Sequence, residues 1–452
     1  TMKRFIISQA LWALCHFMAI STAHAQDTGS AKAYSLPQFI QTGLKNNYGL
    51  QIVRNEEQIA ANQATKANAG YLPQVNLNAG YDGALNSNNS RNRTGGATTS
   101  ERNVFNHGFT AGVNAEWTVF DGFKIQTDYK RLQQLRLQGE TQTRIAIEDY
   151  VADLTAEYYN FIQQRIRMRN LHNAVALSKE RLRIVFERYT LGSASRLDLQ
   201  QARVDFNADS AQSLKQLELL ATSRIRLYEL MAVKDIEERI VLPDTAIVVN
   251  DALDYNALLD ATLRANATLI KAAQNRTLAE LDFKKVAARD YPYIKLAAGY
   301  NYSHNEYGSG ANKNRNSWGP DVGVSVGYKL FDGKRSMERK NARLDMDNAE
   351  LAQKEIEQTL RADLADLWQA YKNNLRLLAL ERENLITAQE NHYIASERYL
   401  LGDLSGIEMR EAQQSLLDAE ERILVAEYNT KLCEISLNQI SGGIMTYMQP
   451  AQ

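Results

Sequence analysis

The sequence predicts a mixed α and β membrane protein in which a few lipid-facing strands continue into very long coiled-coil helices. Three observations predict this fold class. Four segments alternate apolar and polar residues over about ten positions. Two helical patterns, 123–189 and 334–401, contain no proline. The same series of strand and helix patterns occurs once in each half of the chain.

The two halves are copies of one unit. WTVFDG at 117–122 matches YKLFDG at 328–333, which lies 211 positions later, and ERYTLG matches ERYLLG 210 positions later. Pro73 and Pro292 lie 219 positions apart, so the difference in length falls in a loop within the unit, where insertions cost little. We therefore expect a first repeat at 26–250 and a second at 251–452.

The first residues predict export. Lys3 and Arg4 precede an apolar run at 5–20, and the small-x-small sequence at 23–25 follows it. These are the parts of a signal peptide, which we place at 1–25. The run is short for a membrane-spanning helix, which needs about 20 residues, and no later stretch qualifies.

Composition argues against several functional classes. Among 452 residues, 52 Lys plus Arg balance 53 Asp plus Glu, so no bulk attraction to nucleic acid or anionic lipid is expected. No HExxH, P-loop, GxSxG or paired Cys-x-x-Cys motif occurs, and the six histidines are dispersed. The sequence predicts no enzyme, no metal and no cofactor. Cys433 lies in an apolar helical pattern and is expected to be a buried structural thiol.

The helical segments are expected to form a coiled coil. Each unit opens with a helical segment, at 37–69 and 253–289, and closes with a return helix, at 195–233 and 406–440, while 234–252 is an irregular connector. Each long pattern would span on the order of 100 Å. Apolar residues recur at every seventh position, which keeps one seam against a partner helix. These rows are Ile147, Leu154, Phe161, Met168, Val175, Leu182 and Tyr189, then Leu364, Tyr371, Leu378, Leu385, His392 and Tyr399.

Four strands are expected at about 74–83, 108–120, 293–303 and 320–331. Alternation alone fits a soluble sandwich as well as a membrane barrel. Export, strand length and aromatic residues near the strand ends favour the barrel. The loops at 83–107 and 303–319 are rich in Asn, Ser, Gly and Arg, so we expect them to be solvated, with His107 and His304 exposed.

Four spanning strands cannot close a barrel. A filled barrel needs about eight strands, and an open edge in lipid leaves backbone groups without partners. Two copies would supply eight strands and three would supply twelve, and a water-filled conduit favours the larger number. The sequence therefore predicts a trimer with a twelve-stranded transmembrane β-barrel.

Two similar stretches each predict a helix, a tight turn and a second helix: RYTLGSASRLDL at 188–199 and RYLLGDLSGIEM at 398–409. A glycine marks the end of each long pattern, and a serine and a carboxylate then follow with the spacing of a capping box. These residues are Gly192, Ser195 and Asp198 in the first tip, and Gly402, Ser405 and Glu408 in the second.

The tip carboxylates have two interpretations. Capping alone accounts for Asp198 and Glu408. Glu411 lies one turn beyond Glu408 on the same face, too deep in the helix to cap it. Glu411 is either an ordinary solvated charge or part of a functional site with Glu408.

Taken together, the duplicated strand, strand, long helix, tip and helix unit, the FDG after the second strand and the RYxxG tips resemble the TolC family of outer-membrane efflux and secretion ducts. The resemblance covers nearly the whole mature chain. It implies a trimeric twelve-stranded outer-membrane barrel that continues into a periplasmic α-helical coiled-coil barrel. The implied function is the passive exit duct of a tripartite efflux or type I secretion system.

The resemblance also implies partners: a periplasmic adaptor, an inner-membrane transporter and outer-membrane lipid, but no nucleic acid. The transporter and the adaptor would choose the exported molecules. The rival interpretation is a trimeric surface adhesin or structural coiled-coil stalk. Helices that leave and return within one unit, twice, suit a tunnel wall better than a single terminal stalk.

Site residues follow from the same resemblance. Glu408 and Glu411 align with the acidic residues that ring the family's tunnel entrance, where carboxylates attract cations. In closure of the entrance, Tyr399 and Asp198 match the family, but the family's arginine is Leu404 here, and Arg196 is an alternative source of that charge. The adaptor-contacting tips correspond to Tyr189, Thr190, Leu191, Gly192 and Ser193, and to Tyr399, Leu400, Leu401, Gly402 and Asp403.

Overall fold

The computed structural model describes residues 32–91, 93, 95, 98–234 and 240–448. The signal peptide predicted at 1–25 lies outside these residues. Each half of the chain has the same element order: two short helices, two strands, a long helix and a return helix. The first half contains α1 Leu36–Asn46, α2 Tyr48–Gln63, β1 Gln74–Ser90, β2 Thr99–Asp121, α3 Lys124–Thr190 and α4 Arg196–Met231. The second contains α5 Tyr255–Ala265, α6 Ala267–Ala287, β3 Tyr293–Glu306, β4 Asn314–Gly327, α7 Gly333–Leu401 and α8 Gly406–Ile440.

The helical segment that opens each half is broken into two helices, where the sequence predicted one. Asn47 and Asn266 have the same extended backbone, with φ −61° in both and ψ of 122° and 121°. Each side chain accepts a hydrogen bond from the third amide of the next helix, at 3.1 and 3.0 Å. Each amide nitrogen also donates to a carbonyl at the end of the return helix, Leu230 or Ile440. The asparagine therefore both starts a helix and fixes it to the return helix.

The four strands form one antiparallel sheet in the order β1-β2-β3-β4. Within the described residues, β1 and β4 each pair on one side only. Pro320 lies in β4, where an edge strand tolerates a residue without an amide hydrogen. One face is apolar and exposed, as the alternation predicted, and it carries Val75, Leu77, Tyr81, Phe109, Val113, Trp117, Tyr300, Tyr302, Val322, Val324 and Val326.

The strand bounds differ from those predicted. β1 and β2 extend into the expected loop at 83–107, with Ser90 paired to Thr99, and β3 and β4 shorten the loop at 303–319 to a turn. The polar composition indicates only that these side chains are not buried. An antiparallel hairpin is held by hydrogen bonds between backbone groups, so it can continue through residues with exposed polar side chains. The sequence predicted that the last strand would reach residue 331, but β4 ends at Gly327 and residues 328–331 are not strand.

The helices pack as two antiparallel pairs, α3 with α4 and α7 with α8, and α3 also packs against α8. The heptad rows line these seams: Leu154, Leu364 and Tyr371 are almost fully buried. Tyr189, the last member of the first row, is exposed, whereas the equivalent Tyr399 of the second row is buried.

The largest core cluster lies where both halves meet. Its fully buried members include Phe39, Tyr158 and Ile444. The described part of the connector is irregular, as predicted, apart from a two-residue parallel pairing of Ile240–Val241 with Lys32–Ala33. Leu242 and Ile247 anchor it in the same core. In the part of the chain described, no helix is both long and apolar enough to cross a membrane.

Candidate site at the helix tips

Both tips have the helix–turn–helix geometry that the sequence predicted. Gly192 and Gly402 adopt the left-handed conformation, with φ 75° and 87°. In the first tip, the Ser195 hydroxyl donates to the Asp198 carboxylate at 2.7 Å and accepts from the Asp198 amide at 3.1 Å. In the second, Ser405 and Glu408 make the same bonds at 2.7 and 3.2 Å. The predicted capping boxes are confirmed.

Glu408 and Glu411, the two carboxylates predicted to ring the entrance, differ in their hydrogen bonds. Glu408 also accepts the Ser405 amide at 3.0 Å, and this backbone hydrogen bond lowers the pKa of Glu408. Glu411 is exposed and makes no hydrogen bond or ion pair with any described residue. Glu408 is thus fixed at the tip by capping, while the Glu411 carboxylate stays available to solvent.

The closure candidates come together only in part. Asp198, Tyr399 and Leu404 line one cavity of about 290 Å³ between the two tips. Tyr399 is buried, and this burial raises its pKa. The Asp198 carboxylate is engaged by Ser195, whose hydroxyl lowers the pKa of Asp198. Arg196 is exposed on the first turn of α4 and does not line this cavity.

Arg188 supplies the cation beside Tyr399, and sequence reasoning missed it. Its guanidinium carbon lies 4.8 Å from the centroid of the Tyr399 ring. Its Nη2 donates to the carbonyl oxygens of Tyr399 at 2.7 Å and Leu400 at 3.4 Å. A signal was present, because Arg188 is the arginine of the repeated RYxxG motif and lies in the last helical turn, where cations meet free carbonyls.

A buried ionic cluster lies deeper between the two hairpins. Arg410 of α8 donates both terminal nitrogens to the Asp209 carboxylate of α4, at 2.6 and 2.7 Å. Asp209 also accepts the Ser178 hydroxyl. Gln413 donates to the Ser178 hydroxyl at 3.2 Å and to the Ala174 carbonyl at 3.3 Å. This cluster joins the first hairpin to the second, and no sequence motif marks it.

The histidines and the cysteine that the sequence analysis singled out, His107, His304 and Cys433, all lie in strands or helices. Within the described residues, no group of three or more His, Cys, Asp or Glu could hold a metal ion. The sequence predicted His107 and His304 in solvated loops, but they lie in β2 and β3, where each imidazole is within 3.5 Å of the Glu306 carboxylate. Cys433 is only partly buried; Asn374 donates to its sulfur at 3.3 Å, and burial raises its pKa.

Comparison with known proteins places this geometry in a family. The family model described as outer membrane efflux protein matches residues 39–233 and 258–443. The chain is 19% identical to the outer membrane protein TolC of Vibrio cholerae over 433 residues, which cover 94% of each protein. It is 22% identical to the probable efflux pump outer membrane protein TtgC of Pseudomonas putida over 426 residues, 90% of this chain and 83% of that protein.

Solved structures have the same fold. The CusC structure superposes with a TM-score of 0.73 at 19% identity, over 90% of this chain and 92% of that one. The CmeC outer membrane channel of Campylobacter jejuni gives a TM-score of 0.75 at 18% identity, over 90% and 85%. The predicted fold class, outer-membrane location and efflux function are confirmed, and the adhesin or stalk alternative is not supported. The chain belongs to the outer membrane efflux protein family and is a TolC-like efflux channel of the outer membrane.

Proposed function

We propose that three copies of this chain assemble into one duct through which molecules leave passively from the periplasmic side to the exterior. The observation that carries the proposal is the four-stranded sheet, which has an exposed apolar face and two unpaired edges among the described residues. Lipid does not tolerate such edges, so β1 of one copy would pair with β4 of the next. Three copies supply the twelve strands of a water-filled barrel.

The helices would continue the barrel as a tunnel wall. α3 and α7 contain 67 and 69 residues, so each is on the order of 100 Å long. They leave the sheet on the same side and return as α4 and α8. Each copy would contribute its two repeats, 26–250 and 251–452, to this wall. Such a duct needs no catalytic group.

The tips are proposed to contact the periplasmic adaptor of a tripartite system, which links the duct to an inner-membrane transporter. Leu191 is 83% exposed and Leu401 76% exposed, and exposed large apolar side chains cluster at partner surfaces. These two leucines lie in the proposed adaptor-contacting segments, 189–193 and 399–403. Serine at both positions should abolish capture of the adaptor, whereas serine at Val248, exposed in the connector, should leave capture intact.

Glu408 and Glu411 are proposed to form an acidic ring at the entrance. Three copies would place six carboxylates around one axis, which concentrates cations and repels anions. Glu408→Gln with Glu411→Gln should remove the cation preference of the channel in planar bilayers. Glutamine retains the capping box, so folding of the tip is preserved. Glu390→Gln, which neutralises an exposed carboxylate on α7, is the control, and unchanged selectivity in the double variant would refute the assignment.

Closure is proposed to use Tyr399 and Asp198, with Arg188 as the cation within one copy. Leu404 cannot supply the charge that the family's arginine supplies. Arg196, exposed near the same tip, is proposed to reach a neighbouring copy instead.

The duct as a whole is tested by function and by current. Deletion of the gene should make cells hypersensitive to exported compounds, and the purified protein should conduct ions across a planar bilayer. A protein that gives no conductance and whose loss leaves susceptibility unchanged would contradict the proposal.

A further inference from the structure

The junction between the sheet and α7 combines exposed apolar side chains with many cations. Leu330 and Phe331, just after the end of β4, are 88% and 89% exposed. They lie between β4, whose exposed apolar residues include Val324 and Val326, and the helices, which lie in the periplasm of the proposed duct. This segment is therefore at the level where the periplasmic leaflet of the outer membrane ends.

Cations outnumber carboxylates in this junction. The stretch 329–343 holds six Lys or Arg residues and two acidic residues. Arg335 and Arg339 share the carboxylate of Asp290, at 3.4 and 3.2 Å. Exposed Lys340 and Arg343 form no ion pair with any described residue. The junction thus keeps a net positive charge at the membrane boundary.

The same residues enclose a cavity of about 510 Å³. Phe283, Leu330 and Phe331 form its apolar side, and the cationic side carries Arg335, Arg339, Lys340 and Arg343. Two carboxylates, Asp290 and Asp332, also line the cavity, so the four cations exceed the anions by two. The Nε of Arg335 is buried and has no hydrogen-bond partner among the described residues. A ligand with an anionic head and an apolar tail matches this division.

The first half of the chain provides an internal comparison. The equivalent stretch, 118–132, has three cations and two carboxylates. Two of those cations are paired: Lys124 with Asp128 at 2.7 Å and Arg131 with Asp282 at 2.8 Å. The excess of charge in the second half is therefore not required to join a strand to a long helix.

The excess also runs against helix stability. Lys334 and Arg335 occupy the first turn of α7, which contains no acidic residue, although the Asp332 carboxylate caps this turn by accepting the Lys334 amide at 3.1 Å. Cations at a helix N-terminus oppose the macrodipole, and an anion bound there is favoured. The first turn of α3 likewise contains no acidic residue, but it holds one cation, Lys124, which is paired with Asp128, whereas α7 begins with two cations.

We propose that this junction, residues 328–343, binds the phosphate group of an anionic phospholipid in the periplasmic leaflet. The cationic side of the cavity holds the phosphate, and the acyl chains begin along Leu330 and Phe331 and continue over the apolar face of β4. Clusters of Lys and Arg beside a membrane segment recognise anionic lipids in this way.

The test compares lipid retention by the full-length oligomer. Wild type, the variant Lys340→Gln with Arg343→Gln, and the control Lys130→Gln are extracted, exchanged into detergent with equal phosphatidylglycerol and phosphatidylcholine, and examined by native mass spectrometry. Lys130 is an exposed cation on the first turns of α3, one position from the equivalent of Lys340. Each cation near an anionic surface strengthens binding about fivefold, so the double variant should lose roughly 25-fold in its preference for phosphatidylglycerol.

Two results would overturn the proposal. The first is equal retention of the two lipids by wild type. The second is an unchanged phosphatidylglycerol preference in the double variant together with a less heat-stable oligomer, which would show that the cations face a second copy of the chain. A loss of preference in the double variant, with wild-type behaviour in Lys130→Gln and equal recovery of oligomer, would support it.

Discussion

Replacing Arg410 by methionine should release the second helix hairpin from the first near the tips. In the wild-type protein, Arg410 binds the Asp209 carboxylate with two hydrogen bonds of 2.6 and 2.7 Å. The Asp209 side chain is only 4% exposed, so the variant leaves a buried charge. Its remaining hydrogen-bond partner would be the Ser178 hydroxyl.

The magnitude follows from burial. Removing one partner of a buried ion pair costs about 3–5 kcal/mol, because the other charge stays desolvated. Arg410 is 24% exposed, so water reaches one side of the pair and the lower figure of about 3 kcal/mol is the better one. Since every 1.4 kcal/mol is a factor of ten, local opening should become roughly 100-fold more frequent.

Hydrogen exchange of the backbone amides at 398–412 in the full-length oligomer measures this opening. Arg167→Met is the matched control, because Arg167 of α3 binds Glu421 of α8 at 2.7 Å, and that carboxylate is 42% exposed. Loss of an exposed pair costs up to about 1 kcal/mol, which is at most roughly fivefold in exchange. Arg410→Met combined with Asp209→Leu should restore protection, because no unpaired charge remains.

The reasoning would be refuted if Arg410→Met and Arg167→Met accelerated exchange equally. It would also be refuted if adding Asp209→Leu made the Arg410 variant exchange faster still. Either result would mean that the ionic cluster does not hold the hairpins together.

Three further predictions concern single elements. Gly122→Ala should destabilise the protein far more than Gly192→Ala in thermal unfolding. Both glycines have positive φ, which costs about 1 kcal/mol for alanine, but a Cβ at Gly122 would also collide with the Ala288 carbonyl. Equal losses of stability in the two variants would contradict this account. Asn266→Ala should cost about 2 kcal/mol in urea unfolding, because both a helix cap and a hydrogen bond to the return helix are lost; a loss below about 0.5 kcal/mol would count against it. Because the pKa of Glu408 is lowered in the folded protein, its capping contribution is present above the ordinary carboxyl pKa of 4.5 and is lost as pH falls through the lower folded value. Amide exchange at the start of α8, corrected for intrinsic rates, should therefore rise on acidification in wild type and stay flat in Glu408→Gln.

Local signals in the sequence predicted the long helices and the tips well. α3 and α7 begin and end within one residue of the predicted patterns, because the glycines, the serine caps and the seven-residue rows act between close neighbours. The alternating faces of the strands were equally readable, since period two depends only on the chain itself.

Features that depend on distant partners could not be read in this way. The break at Asn47 interrupts no periodicity, and its reason, the Leu230 carbonyl, lies 183 residues away. Asp209 and Arg410 are 201 positions apart, and each looks like an ordinary charge on a solvated helix face. Arg188 falls between these cases, because its motif was visible but its contact with Tyr399 of the other repeat was not.

The account rests on a four-stranded sheet that cannot close by itself. Native mass spectrometry of the full-length protein, extracted in a mild detergent, measures the number of chains directly. We expect an assembly of three chains that is stable to dilution and dissociates only when the barrel unfolds. A stable, folded single chain under the same conditions would contradict the account.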